Sequence, residues 1–357
     1  MFDDSPASPQ SPDAAWNSTD LRTIIIAKGV GELKDLSDLR KKGWAEEGLD
    51  HHFIRQRQLA DTANAHMNLV WFNKMKVVFG ELDVAARIVP LSGPMQFLDL
   101  GCSPGGFSSY ILHKNRNARG VGISLPVEQG GHLFALESYL GSRFELHLAD
   151  LNYYRLHHCH RQLRALAFDP LPQNFEANFD VVILDGHFLR TYLSPALTDP
   201  KEWDRHRLLI SQIVIALRSI RHGGTIVLKL SHPEKLHTAQ FLFMLDGISK
   251  SLCVFKPRSL HTNRGTFYAI ANGVGLGYQG AKKAEYLREL EELWYQITFV
   301  GSERQGRFMT ATDLDFIVTY DDIANNYIDR LIDISRNVWS TQADALRAWF
   351  SRKGILY

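Results

Sequence analysis

Residues 97–111 read FLDLGCSPGGFSSYI. Phe97–Leu100 is an apolar strand that carries Asp99 near its end and runs into Gly101, Pro104, Gly105 and Gly106. A helical pattern follows at once, with apolar residues at Phe107, Tyr110 and Ile111. A glycine turn between a buried strand and a helix lets a ligand approach bare backbone N–H groups at the helix N-terminus. In open α/β sheets this junction, at the carboxyl end of a strand, is where cofactors bind. The spacing is neither the dinucleotide fingerprint G-x-G-x-x-G nor a phosphate loop ending in G-K-[ST].

Downstream, strand-like segments are predicted near 96–100, 119–124, 144–149, 180–184, 224–230, 251–255 and 266–272, with helices at 105–114, 128–140, 204–221 and 233–249. Strands alternating with helices imply a parallel, doubly wound sheet. Upstream, TIIIA (Thr23–Ala27) reads as a short strand, and 34–88 reads as helical until Ser92-Gly93-Pro94 breaks the pattern. Residues 276–357 return to helical spacing, with amphipathic stretches at Lys282–Thr298 and Asp321–Phe350. The expected organisation is a disordered N-terminus over 1–20, a mostly helical region over 21–90, an α/β domain over 91–275 and a helical extension over 276–357.

The bulk numbers bound the class. With 357 residues, 45% of them hydrophobic, the chain has room for one large domain with additions. Its formal net charge of +1 gives no whole-chain electrostatic footprint for avid, non-specific nucleic-acid binding. Three scattered cysteines, Cys102, Cys159 and Cys253, make no disulfide framework, which suits a reducing compartment. No apolar run reaches the ~20 residues of a membrane span. The opening stretch lacks the basic start and apolar core of a secretory signal. Cytoplasm or nucleus is the expected location, without membrane association.

Further charged residues fall at strand ends on the side of the glycine turn. Asp150 follows FELHLA, Asp185 follows DVVIL, and Lys229 lies within GGTIVLKL. Strand carboxyl ends converge on one crevice in this architecture, and charges there are costly unless paired or used. An acid at a strand end before a glycine turn suits a nucleoside with a cationic sulfonium, so the turn reads as an S-adenosylmethionine site.

Four segments carry a family resemblance: FLDLGCSPGGF, VVILDGH, GGTIVLKL and KPRSLHTNRGTFYAIANG. Together they resemble the FtsJ-like ribose 2′-O-methyltransferases over roughly residues 70–273. The resemblance implies a Rossmann-like, seven-stranded methyltransferase sheet whose last strand is added antiparallel, here flanked by N- and C-terminal helical extensions. It implies S-adenosylmethionine as methyl donor and the ribose 2′-hydroxyl of an RNA, at a cap or an internal site, as acceptor. The family's catalytic tetrad is Lys, Asp, Lys, Glu. The Asp maps to Asp185 and the second Lys to Lys229. The first Lys maps to Lys74, in Phe72-Asn73-Lys74-Met75, with Lys76 as the alternative. The Glu position holds Thr266. The donor is expected to touch Asp99, Gly101, Ser103, Gly105, Gly106, Phe107 and Asp185, with Asp150 at the adenine amino group. Ser124 stands where the family carries an acid for the donor's ribose hydroxyls.

Thr266 keeps two other functions open: methyl transfer to a non-RNA acceptor, or a catalytically impaired relative that binds cofactor or RNA. His157, His158, Cys159 and His160 match no standard zinc spacing, so no metal site is expected. Cys102 reads as a packing residue, since no base accompanies it. Arg258, His261 and Arg264 read as either a solvated basic loop or phosphate contacts to RNA.

Overall fold

The computed structural model describes residues 20–45, 65–157, 168–189, 192, 204–301 and 306–354. All but Asp20 of the expected disordered N-terminus, and the stretch His158–Cys159–His160, lie outside them. Seven strands form one sheet: β1 Met95–Leu100, β2 Ala118–Ser124, β3 Phe144–Leu148, β4 Phe179–Leu184, β5 Ile220–Ser231, β6 Ser249–Phe255 and β7 Thr266–Val274. Their order is β3-β2-β1-β4-β5-β7-β6. β7 runs antiparallel to both β5 and β6, and the remaining pairs are parallel. This is the expected doubly wound sheet with an inserted antiparallel strand.

Alternation along the strands sorts side chains to two faces. Phe97, Val181, Ile183 and Val227 join Tyr268 and Ile270 against α3 (Ala65–Ala86) and α4 (Gly106–Lys114). Leu98, Leu100, Val182, Leu184, Leu228 and Leu230 face the other way. There they share one core with α5 (Asp204–Ser219), α6 (Leu236–Ile248), α7 (Lys283–Phe299) and α8 (Ile328–Lys353). Trp294 of α7 and Trp339 of α8 are wholly buried in that core. The C-terminal helices are therefore continuous with the sheet's own packing. Among the described residues, no helix is long and apolar enough to cross a membrane.

Two expectations are corrected. TIIIA is helical: α1 is Arg22–Ala27, followed by α2, Gly31–Ala45. Asp20 accepts the Arg22 amide at 2.6 Å and holds the first turn, and Leu21 and Ile25 pack into the core beside Leu33 and Leu36 of α2. Tertiary burial here overrides the β preference of an isoleucine run. The helix expected over 128–140 is absent. A 3₁₀ turn at Val127–Gln129 ends at Gly130 with φ +89°, and a second spans Ser138–Arg143. A Cβ on Gly131 would overlap the Leu125 carbonyl. Adjacent glycines break the helical periodicity. The segment between becomes a strap across the glycine turn, pinned by Ala135 N–H to Pro104 O at 2.9 Å and by Asn68 Nδ2 to Leu133 O at 2.7 Å.

Candidate active site

Period-2 alternation puts Asp99, Asp185 and Lys229 on the sheet face covered by α3 and α4, at the carboxyl ends of β1, β4 and β5. β7 is antiparallel, so its start reaches the same edge, and Tyr268 pairs directly with Lys229 in the register. The turns after β1 and β4 lock together. Asp185 and Gly186 both donate their amides to Leu100 O at 3.0 Å, and a Cβ on Gly101 would overlap Gly186. The buried Gln212 of α5 clamps the same turn, accepting the Gly186 amide at 2.9 Å and donating to its carbonyl at 3.1 Å.

Lys229 and Asp185 meet. Lys229 Nζ lies 3.0 Å from Asp185 Oδ1 and donates to the Asp185 carbonyl at 2.5 Å. Tyr268 donates its hydroxyl to Asp185 Oδ1 at 2.8 Å. Burial, then the Asp185 charge and this hydrogen bond, push the Tyr268 phenol well above its usual range, so it acts here as a donor. His187 Nδ1 stands 3.4 Å from Lys229 Nζ.

Among the described residues, Lys74 makes no hydrogen bond or ion pair with Asp185 or Lys229. It is exposed on α3, with its ammonium 5.5 Å from the Trp71 ring. Lys76 pairs with Glu137 at 3.1 Å, alongside Ser109. Thr266 begins β7, and its carbonyl accepts from the buried Lys256 at 2.8 Å. Lys256 also donates to the Arg264 and His261 carbonyls, at 2.6 and 3.1 Å, and so ties the 256–266 loop into a fixed wall. Glu81 of α3 accepts the Arg258 and Ser259 amides at 2.7 and 3.0 Å. No carboxylate is bonded to Thr266 among the described residues. His232, which contacts the buried Glu234 at 3.2 Å, packs its ring against Gly265.

A cleft opens beside this cluster, lined in part by Gly101, Ser103, Ser124, His132, Asp150, His187 and Tyr192. Two polar groups at or next to its Gly101–Ser103 wall would suit an adenosyl donor. Asp99 is almost wholly buried and accepts the Ser108 hydroxyl on Oδ2 at 2.6 Å, while Oδ1 has no partner among the described residues; Ser103 Oγ is likewise buried and unpartnered. Burial raises the Asp99 carboxyl to about 7; Asp185 adds to the rise, and the Ser108 hydrogen bond and Lys229 oppose it. A buried carboxylate with an unpartnered oxygen would suit the amino group of the donor's methionine half. Gly105 takes φ +107°, with the Phe134 ring of the strap over it.

Gly106 and Phe107 pack α4 against its neighbours. A Cβ on Gly106 would overlap the Phe72 carbonyl of α3, and Phe107 packs between Phe79, at 5.0 Å, and Tyr268, at 6.0 Å. Both bring α4 close against α3. Asp150 is already engaged, accepting from Tyr192 Oη at 2.6 Å and from Asn152 N at 2.8 Å. Ser124 is buried at the end of β2. Burial pushes the Cys102 thiol well up, consistent with a packing role. No cluster able to hold a metal occurs among the described residues.

Sequence reasoning missed Tyr268, His187, His132, Tyr192 and Gln212. His187 was within reach, in the D-G-H turn itself, whereas Tyr268 gains its place only from the β5–β7 register.

An open doubly wound sheet here sets an acid-and-lysine pair beside a cleft at its strand ends, the edge at which such sheets bind ligands. The chain belongs to the FtsJ-like methyltransferase family, whose model matches residues 79–273. Relatives include proteins described as cap-specific mRNA (nucleoside-2′-O-)-methyltransferase 1, from Bos taurus and from Homo sapiens. Each is 24% identical over 273 residues, covering 72% of this chain and 31% of the relative. The chain thus spans about a third of the length of these curated relatives. Among solved structures, a ribosomal RNA methyltransferase from Plasmodium falciparum is 18% identical, with a TM-score of 0.36, over 57% of this chain and 97% of that one. A TehB-like methyltransferase from Corynebacterium glutamicum is 14% identical, with a TM-score of 0.32, over 63% and 97%.

Proposed function

We propose that this protein transfers a methyl group from S-adenosylmethionine to a ribose 2′-hydroxyl of RNA. The observation that carries this is the Lys229–Asp185–Tyr268 cluster, set at the strand ends beside a cleft lined by Gly101 and Ser103, next to the unpartnered oxygen of the buried Asp99. The donor supplies an electrophilic methyl carbon on a sulfonium sulfur. Everything else is the work of this chain's residues.

Lys229, as the neutral amine, takes the proton of the attacking hydroxyl. Asp185 holds the nitrogen through both its carbonyl and its carboxylate and balances the ammonium that forms. Tyr268 keeps the Asp185 carboxylate oriented by donating to the oxygen that faces the lysine. Asp99 and the glycine turn would hold the donor in line with that hydroxyl, and positioning of this kind accounts for much of the acceleration in a transfer reaction. The relatives' name specifies the mRNA cap, which makes a capped oligonucleotide the first acceptor to try.

The second function with support is a cofactor- or RNA-binding relative without turnover, favoured by Thr266 at the family's glutamate position. One assay separates the two. Purified protein is incubated with radiolabelled donor and capped or uncapped RNA, and label in the ribose is measured. Incorporation abolished by Lys229→Ala supports methyl transfer. Equal incorporation by Lys229→Ala removes the lysine from the mechanism, and donor binding without transfer to either RNA favours the second function.

A further inference from the structure

The Asp150 carboxyl, just after β3, accepts one hydrogen bond on each oxygen. Tyr192 donates its hydroxyl to Oδ2 at 2.6 Å, and the Asn152 backbone amide donates to Oδ1 at 2.8 Å. A carboxylate offers about four lone-pair sites, so each oxygen keeps room for one more donor. Asn152 is itself almost wholly buried, and its side-chain Oδ1 has no partner among the described residues. Asp150, Asn152 and Tyr192 all line the cleft that Gly101 and Ser103 line. A buried acceptor left without a donor is costly, and one on a residue that lines a cleft points to a donor on the ligand.

Tyr192 is held in place by its own neighbours. Its amide donates to the Leu189 carbonyl at 3.1 Å, and its ring lies 5.4 Å from that of Phe188. Both follow the Asp185–Gly186 turn, which the Leu100 carbonyl and Gln212 fix. Burial and then the Asp150 charge push the Tyr192 phenol far above its ordinary range, so the hydroxyl is the donor in this pair. Burial also raises the Asp150 carboxyl, and the Tyr192 and Asn152 hydrogen bonds oppose that rise.

We propose that Tyr192 is a positioning residue for base recognition: its hydroxyl holds the Asp150 carboxylate as an acceptor, and together with Asn152 Oδ1 that carboxylate makes this end of the cleft select a base carrying an exocyclic amino group. This rests on the donor site proposed above, and it assigns two residues that neither the family's tetrad nor the sequence motifs name. Two acceptors suit the two N–H bonds of a 6-amino group. A 6-oxo group in the same place brings its lone pairs against a carboxylate and an amide oxygen, which repel it. Without the Tyr192 hydroxyl, the buried Asp150 is free to protonate and to donate to such an oxygen, and the distinction between the two bases goes with it.

Binding calorimetry tests this with S-adenosylhomocysteine and S-inosylhomocysteine, which differ only in carrying an amino or an oxo group on the base. The parent is expected to prefer S-adenosylhomocysteine by about 10-fold or more, as expected where a buried acceptor is left unpaired. Tyr192→Phe is expected to lower that preference about 3-fold or more, chiefly through weaker S-adenosylhomocysteine binding. Asn152→Ala keeps the backbone amide and removes the second acceptor, so it should lower the preference as well. A merely structural role would weaken both ligands alike and leave the ratio unchanged. Equal affinities in the parent, or an unchanged ratio in either variant, would overturn the assignment. So would tighter S-adenosylhomocysteine binding by Tyr192→Phe, the result if Tyr192 only competes for Asp150. The parent ratio decides whether the base edge is read even where a variant fails to fold. If the parent shows the preference and methylates no RNA, the reaction proposed above fails while this assignment stands; a parent that binds neither ligand refutes it.

Discussion

Asp99 shows how one buried carboxyl can tie ligand binding to pH. Its carboxyl is raised to about 7, chiefly by burial. At pH 8 it is ionised and able to receive the amino group of the methyl donor; at pH 6 it is mostly protonated. Donor affinity measured by calorimetry is therefore expected to climb as pH rises through about 7 and then level off, and Asp99→Asn should be weak and nearly flat across the range. The ligand-free fold carries the opposite dependence. Between the ordinary value of 3.8 and about 7, the unfolded chain ionises Asp99 and the folded chain does not, so this group subtracts stability as pH rises through that window. Asp99, Asp185 and Lys229 were legible in sequence because a charge inside or just after an apolar strand is conspicuous. Tyr268 and Gln212 were not. Their roles depend on the β5–β7 register and on the approach of α5 to the D-G-H turn, neither of which leaves a local pattern.

Among the elements, the α3–α4 contact decides how closely the glycine turn can be held. Gly106 gives up its side chain to the Phe72 carbonyl and the Lys76 amide of α3. Gly106→Val should force the helices apart and destabilise the fold by about 1–3 kcal/mol, the usual cost of overpacking, which would appear as a lower denaturation midpoint in urea. It should also loosen donor binding, because α4 carries Ser108, the partner of Asp99. The strap between β2 and β3 makes the complementary point. Its apolar spacing suggested a helix, yet Gly130 and Gly131 stop one, and the segment instead lays Phe134 over Gly105, with the ring stacked on Phe144 at 5.2 Å. Phe134→Ala is expected to weaken donor binding with a smaller effect on overall stability; calorimetry beside thermal melting would separate the two.

At the scale of the molecule, the helical extensions are joined to the site through one buried acid. Glu234, just after β5, is wholly buried; it pairs with Arg40 of α2 at 2.6 Å and accepts the Trp339 indole N–H of α8 at 2.9 Å. Gln342 of α8 bonds Arg40 at 2.8 Å and reaches the Asn263 carbonyl of the 256–266 loop at 3.4 Å. Burial opposes the Glu234 charge, but Arg40 and His232 hold its carboxyl well below the ordinary 4.5. Its contribution to stability is therefore present above pH 4.5 and fades as pH falls toward the folded-state value. Glu234→Gln strands the Arg40 charge and should cost about 3–5 kcal/mol at neutral pH, measured by urea unfolding, with the deficit shrinking in acid. The sequence by itself determined the doubly wound sheet and the acid and lysine at the strand ends, because strand periodicity and glycine turns are local signals, while its antiparallel finish was implied by the family resemblance. Only the tertiary structure decided that TIIIA coils into a helix, that the segment after β2 becomes a strap, and that His187 and Tyr268 gather around Lys229 and Asp185. Those outcomes depend on which surfaces meet across the folded chain, and no short stretch of residues encodes that meeting.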